Sequence, residues 1–302
     1  MILVAGSANL DFVVRASHIP APGETVLGHD FKTFPGGKGA NQAIACARSG
    51  GAATTMILAL GNDTFAVPLE ESLNADGVRL HIKRVTDQPT GTAFICVSDD
   101  AENAITVAPG ANNSLRPDDL VPMAELAGFR HLLLQLETPM DTVTAFARAA
   151  RQQGVKVVLN AAPAQTLSQE LLALVDVLIV NEGELAVVSN HAGSVEQCLE
   201  RILVPCVVVT LGSRGACARV HGQILKQTAF PVTPVDTTGA GDTFCGAFVA
   251  ALSQGQDVAQ ALRQASAAGA LACTRPGAQS SIPTHAEVQT FLKNFSTSSL
   301  PP

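Results

Sequence analysis

The chain has 302 residues, of which 47% are hydrophobic and 15% charged, with a formal net charge of −7. That composition supports a large folded core and excludes a disordered chain, and its acidity argues against nucleic acid or another polyanion as the main partner. No apolar run reaches the ~20 residues of a membrane span, and the opening ILVAG has no basic flank, so a cytoplasmic protein is expected, with its seven scattered cysteines reduced.

Residues 2–8 (ILVAGSA) read as a buried strand, with Asn9 and Asp11 following at its carboxyl end, where an α/β sheet presents ligand-binding groups. From 12 to 34, short β-prone pieces surround a turn at Pro20, Pro22 and Gly23. In PGGKGANQAIACARSGG, Ala40, Ala43, Ile44 and Ala47 fall at helical spacing behind the glycines of 36–39, so a glycine turn opens a helix. This is not a P-loop, because Gly39 follows the lysine where Ser or Thr is required. Lys38 and Asn41 at the helix mouth serve either a ligand or close packing. A strand over 54–61, a helix over 64–75 and a second β excursion over about 88–108 come next, and the two excursions are expected to pair as a small separate sheet.

Helices near 117–127, 140–153 and 167–173 then alternate with the strands HLLLQLE, VKVVLN and VLIVN, and two short helices lead to a last strand, CVVVTLG. These strands are continuous apolar runs, the mark of a parallel sheet covered by helices on both faces. The expected fold class is α/β: a three-layer Rossmann-like core with a mostly parallel central sheet flanked by helices, in one domain over 1–302. An Ala-rich helix over 258–274 is followed by a tail, STSSLPP, expected to fray.

The chemistry centres on VDTTGAGDTF. Gly239, Ala240 and Gly241 lead into Phe244, Ala247, Phe248 and Ala251, one face of a buried helix. The first N–H groups of such a helix lack internal partners and carry the positive end of its dipole, so a phosphate is a natural guest. Asp242 stands at that mouth, either as a base that takes a proton from an attacking hydroxyl or as a helix cap. Other polar residues fall just after buried strands and converge on the same sheet edge: Asn9, Asp11, Glu137, Asn181, Glu184 and the run 210–215. Each has a structural alternative: Glu137 as a cap for the helix near Pro139, Asn181 with Glu184 as a capping box.

GGKGANQA, the early NLD, NAAPA, NEGE, TLGSRG, TRPGAQSSIP and above all DTTGAGDTF resemble the ribokinase family of sugar kinases, also called the PfkB carbohydrate kinases, over about residues 2–283. The resemblance implies transfer of the γ-phosphoryl of ATP to the 5-hydroxyl of D-ribose, with Asp242 as base and Gly239, Ala240 and Gly241 as the anion hole. A kinase for deoxyribose, fructose or a nucleoside stays open, as does a non-catalytic sensor. By the same resemblance Asn9, Asp11, Gly37, Lys38, Asn41 and Glu137 would hold the sugar with Asp242. Asn181, Thr210, Gly212, Ser213, Gly215, Gly241 and Ser266 would line ATP. Asn181 and Glu184 would act on Mg²⁺ through water, and Asp236, Thr238, Ala272, Arg275, Gly277 and Ser281 would surround an activating K⁺. The β excursions, about 12–35 and 88–109, match the family's lid, which implies a homodimer through that lid. Ser266, where relatives often carry Asn or His, and a short 189–205 segment depart from the family pattern on the nucleotide side.

Overall fold

Strict alternation along the first strand sets up the layers. In β1 (Ile2–Ala5), Ile2 and Val4 enter one hydrophobic core while Leu3 and Ala5 enter a second on the opposite face. A computed structural model describes residues 1–100 and 102–297. The fully buried strand β4 (Thr54–Gly61) and the half-exposed β5 (Arg79–Val85) extend the sheet on one side of β1. On the other side follow β8 (His131–Leu134), β9 (Lys156–Asn160), β10 (Val177–Asn181) and β11 (Cys206–Thr210). These seven strands are parallel, and an antiparallel hairpin, β12 (Ala216–Val220) and β13 (Gln223–Gln227), completes a nine-stranded sheet.

One face is covered by α1 (Lys38–Arg48), α2 (Ala66–Ala75), α8 (Ala240–Ser253), α9 (Val258–Ala272) and α10 (His285–Thr297). The other carries α3 (Met123–Leu126), α4 (Met140–Gln152), α5 (Gln169–Leu174), α6 (Glu182–Ser189) and α7 (Val195–Glu200). Helices α1 and α8 pack closely because both present small residues: a Cβ on Gly246 would lie 2.5 Å from Ala45 Cβ and 2.6 Å from the Gln42 carbonyl.

The excursions pair as expected. Strands β2 (Asn9–Ala16), β3 (Asp30–Gly36), β6 (Gly91–Ser98) and β7 (Asn103–Ala108) form one separate sheet in the order β3-β2-β6-β7. β2 runs antiparallel to β3 and parallel to β6. The first strand ends at Ala5 rather than residue 8, because the chain turns at Gly6–Ala8 from the large sheet into the small one. The expected 117–127 helix is instead a short 3₁₀ turn over 117–119 and the one-turn α3, since Pro122 cannot continue a helix. Of the expected tail, 298–302 lie outside the described residues, whereas α10 runs through 297.

Candidate active site

The two glycine-led helices meet at the carboxyl ends of β1, β8, β9 and β10. Ser7, one turn past β1, pins the mouth of α1: its hydroxyl donates to Glu137 Oε2 at 2.5 Å and accepts from Gly39 N at 3.2 Å, while its carbonyl accepts from Ala40 N at 2.9 Å. The Lys38 N–H also donates to Glu137 Oε2, at 3.1 Å. Glu137 therefore caps α1 across the sheet, and α4 starts at Pro139 without a side-chain cap. Only glycine fits at 37, where φ is +89° and a Cβ would come within 2.7 Å of Asn9 N and 2.8 Å of Ala8 Cα.

Helix α8 starts behind Gly239, which is left-handed at φ 72°, and no side chain caps it. The Ala240 N–H turns back to the Thr237 carbonyl at 3.2 Å, whereas Gly241 faces open space, with nothing within 4 Å of a notional Cβ. Asp242 is no cap. Its Oδ2 accepts from Asn41 Nδ2 and its Oδ1 from Gln42 Nε2, each at 2.9 Å. Asn41 and Gln42 belong to α1, so the two helices jointly fix the carboxylate. Lys38, Asn160, Asn181, Glu184, Thr210, Gly239, Gly241 and Asp242 line a cavity of about 160 Å³ at this mouth. That is well below the ~300–1,000 Å³ of drug-sized ligand sites, so it suits the phosphate end of a ligand.

Charge is concentrated here. Burial pushes the Asp11 carboxyl up to about 7, and the neighbouring Glu137 and Asp242 add to the effect. Lys38 is held above the ordinary lysine value by Asp242 first and Glu137 next, against the opposing effect of burial. One ammonium thus sits among several carboxylates, a surplus of acceptors that suits a ligand rich in hydroxyls. Asn9, nearly fully buried, accepts from Asn112 Nδ2 at 2.8 Å. Asp11 also lines a larger cleft, about 510 Å³, between the small sheet and the segments 234–238 and 276–278.

Asn181 and Glu184 do form the capping box of α6: Asn181 Oδ1 accepts from Glu184 N and Glu184 Oε2 from Asn181 N, both at 2.8 Å. Both residues nonetheless face the cavity, and burial raises the Glu184 carboxyl although the Asn181 N–H and Lys38 work against it. Glu184 is a hard oxygen donor on the cavity lining, which suits a divalent ion that arrives with phosphate oxygens and water. Gly212 and Ser213 lie in an exposed 3₁₀ turn closed by Leu211 N donating to the Gly215 carbonyl at 2.8 Å. Ser266 is on α9, away from the cavity lining, and its buried hydroxyl has no hydrogen-bond partner among the described residues.

Asp236 organises the turn before Gly239. Its Oδ1 accepts from Thr238 N at 2.9 Å and Thr238 Oγ1 at 2.7 Å, and its Oδ2 from Gly277 N at 2.8 Å. Burial opposes ionisation, but these donors outweigh it and hold the carboxyl below its usual value. Val235 and Asp236 both donate to the Cys273 carbonyl, and Arg275 N to that of Ala272. The Arg275 side chain turns away to Glu287 at 2.5 Å, so its contribution to any cation is a carbonyl. Buried Ser281 donates to the Ala278 carbonyl at 2.8 Å. A carboxylate with loop carbonyls is a hard oxygen set, of the kind that suits a hard cation.

Sequence reasoning missed Ser7, Gln42, Asn112 and Gln135 as site residues and took Asn160 only as part of a motif. Their signal was a polar side chain inside an otherwise apolar run, as with Gln135 in HLLLQLE.

A family model described as pfkB family carbohydrate kinase matches residues 1–285. The chain belongs to this family. As a pfkB-family member it is an ATP-dependent carbohydrate kinase. A ribokinase of Haemophilus influenzae is 39% identical over 304 residues, covering 97% of this chain and 98% of that one. The crystal structure of ribokinase from Thermotoga maritima matches with a TM-score of 0.91 at 38% identity, over 97% of this chain and 99% of the other. A structure of Arabidopsis thaliana ribokinase complexed with ribose and ATP gives 0.89 at 33% identity, over 97% and 98%. No helix among the described residues is long and apolar enough to cross a membrane.

Proposed function

We propose that this kinase transfers the γ-phosphoryl of ATP to the 5-hydroxyl of D-ribose. The observation that carries the reading is Asp242, held by two amides of α1 at the uncapped mouth of α8 and facing the cavity with Lys38. Asn9, Asp11, Gly37, Asn41 and Glu137 orient the sugar, and Asp242 accepts the proton as the hydroxyl attacks. The α8 amides at Gly239, Ala240 and Gly241 and the Lys38 ammonium neutralise the transferring phosphoryl, the electrostatic contribution that dominates such chemistry. Thr210, Gly212, Ser213, Gly215 and Ser266 belong to the nucleotide side. Asn181 and Glu184 would hold a divalent ion, Mg²⁺, through water, and when bound it would neutralise phosphate charge. Asp236, Thr238, Ala272, Arg275, Gly277 and Ser281 would hold K⁺, several through carbonyls, and such an ion would stiffen the turn that aims the α8 amides.

The small sheet acts as a lid, built from about 12–35 and 88–109, whose closure over the sugar excludes water. Dimerisation through it is supported by exposed Phe31, Phe94 and Ile105. A cytoplasmic location is supported by seven free cysteines.

ADP release from ATP and Mg²⁺ should depend on D-ribose and be faster in KCl than in matched NaCl. Absence of turnover with ribose rejects the substrate, and equal rates in the two salts reject the cation. The sugar KM should also rise as the pH falls below about 7, where the Asp11 carboxylate becomes protonated and loses acceptor capacity. Because this carboxyl is raised in the fold, it stabilises the protein most in acid and that contribution fades as pH rises through about 7, opposite to its effect on sugar binding. Asp11→Asn should flatten both pH dependences; a sugar KM that keeps its acid rise in this variant assigns it elsewhere.

A further inference from the structure

Behind the Gln42 amide that holds Asp242 lie further neutral amides to which the reaction outlined above gives no role. Gln135 Nε2 donates to Gln42 Oε1 at 2.7 Å. Gln42 Nε2 donates in turn to Asp242 Oδ1 and to Asn160 Oδ1, each at 2.9 Å. Asn160 Nδ2 closes the chain on the Ile179 carbonyl at 3.1 Å. Gln42 and Gln135 are completely buried and Asn160 nearly so. A carboxylate only accepts, so Gln42 must turn its NH₂ toward Asp242, and its carbonyl must then be satisfied from behind. Gln135 does this and nothing else: its own Oε1 has no hydrogen-bond partner among the described residues. Room for that oxygen is kept by Gly6, where a Cβ would lie 2.0 Å from it.

A buried amide group left unmatched is costly, and an aliphatic side chain of similar volume would pack these places without that cost. The arrangement instead places the two Gln42 Nε2 hydrogens against one oxygen each and turns the donor ends of Gln135 and Gln42 toward the carboxylate, while Asn160 donates away from it to Ile179. We propose that Gln42 is a positioning residue for the base, set by Gln135, and that this chain holds the Asp242 carboxylate in its working orientation. The inference rests on the reading of Asp242 as base.

The test compares kcat and the ATP and sugar KM of the wild type, Gln42→Met and Gln135→Met, with Asp242→Asn as control. A hydrogen bond to a charged group is worth about 10–100-fold, so Gln42→Met should lower kcat by about that factor. The ATP and sugar KM should change little. Gln135→Met, which does not touch Asp242, should lower kcat by less, and it keeps the inference testable if Gln42→Met fails to fold. Gln42→Glu should not restore kcat, because a second carboxyl beside Asp242 replaces a donor with a like charge. A purely structural role would lower the melting temperature and leave kcat of the folded protein in place; an unchanged kcat in folded Gln42→Met or Gln135→Met overturns the inference. If Asp242→Asn turns over normally, the base assignment has failed instead, and the two failures are told apart by that control.

Discussion

Asp242→Asn should lower kcat by ~10²–10⁴, the range supplied by general base catalysis, while the ATP KM stays within a few-fold of wild type. The substitution is nearly isosteric, so it keeps the packing of α8 on α1. It removes a carboxylate at the mouth of α8 that faces the cavity with its remaining lone pairs. It also replaces an acceptor with a possible donor opposite Asn41 Nδ2 and Gln42 Nε2, so a rotated amide could mimic the geometry but not the basicity. Steady-state kinetics with the sugar saturating check this. A variant that keeps wild-type kcat would show that the hydroxyl proton leaves by another route.

Gly239→Val should be comparably damaging from the phosphate side. Gly239 has φ 72° and ψ 1°, a conformation that costs an L-residue roughly 1–2 kcal/mol and a β-branched one more. Even the first added carbon would sit 3.0 Å from Ala278 Cα. The turn must then shift, and its carbonyl, which accepts from Thr243 N at 2.8 Å and Thr243 Oγ1 at 2.9 Å, shifts the start of α8 with it. A displacement of about 1 Å at reacting groups costs ~10² in rate, so kcat should fall by about that factor or more. The sugar KM should hold, because Asn9, Asp11 and Glu137 are carried by other elements. A loss confined to sugar KM would place the glycine turn on the wrong substrate.

The parallel core was legible because its strands are uninterrupted apolar runs, and both helix mouths because glycine followed by helical periodicity has few other uses. β5 was missed because RLHIKRV is an edge strand, half-exposed and carrying Arg79, Lys83 and Arg84 in place of a continuous apolar run. The β12–β13 hairpin was missed for a related reason: it adds antiparallel strands to an edge after the apolar alternation has stopped. In the site, Asp11 and Glu137 from the sheet edge lie beside Lys38, Asn41 and Asp242 from the two helix mouths. What sequence could not supply was the partner of each group. Glu137 caps α1 rather than α4, and Asp242 is bound by side chains 200 and 201 positions away. Contacts at such separation are set by the crossing of α1 and α8, which no local pattern encodes.

The central claim is tested most directly by the ³¹P spectrum of the product formed from ATP and D-ribose. Phosphate on the 5-hydroxyl is bonded through oxygen to a CH₂ carbon, so its ³¹P resonance should be a triplet, appearing only with active protein and lost in Asp242→Asn. A doublet, from phosphate on the anomeric or a ring CH carbon, or a spectrum holding inorganic phosphate alone, would contradict the account.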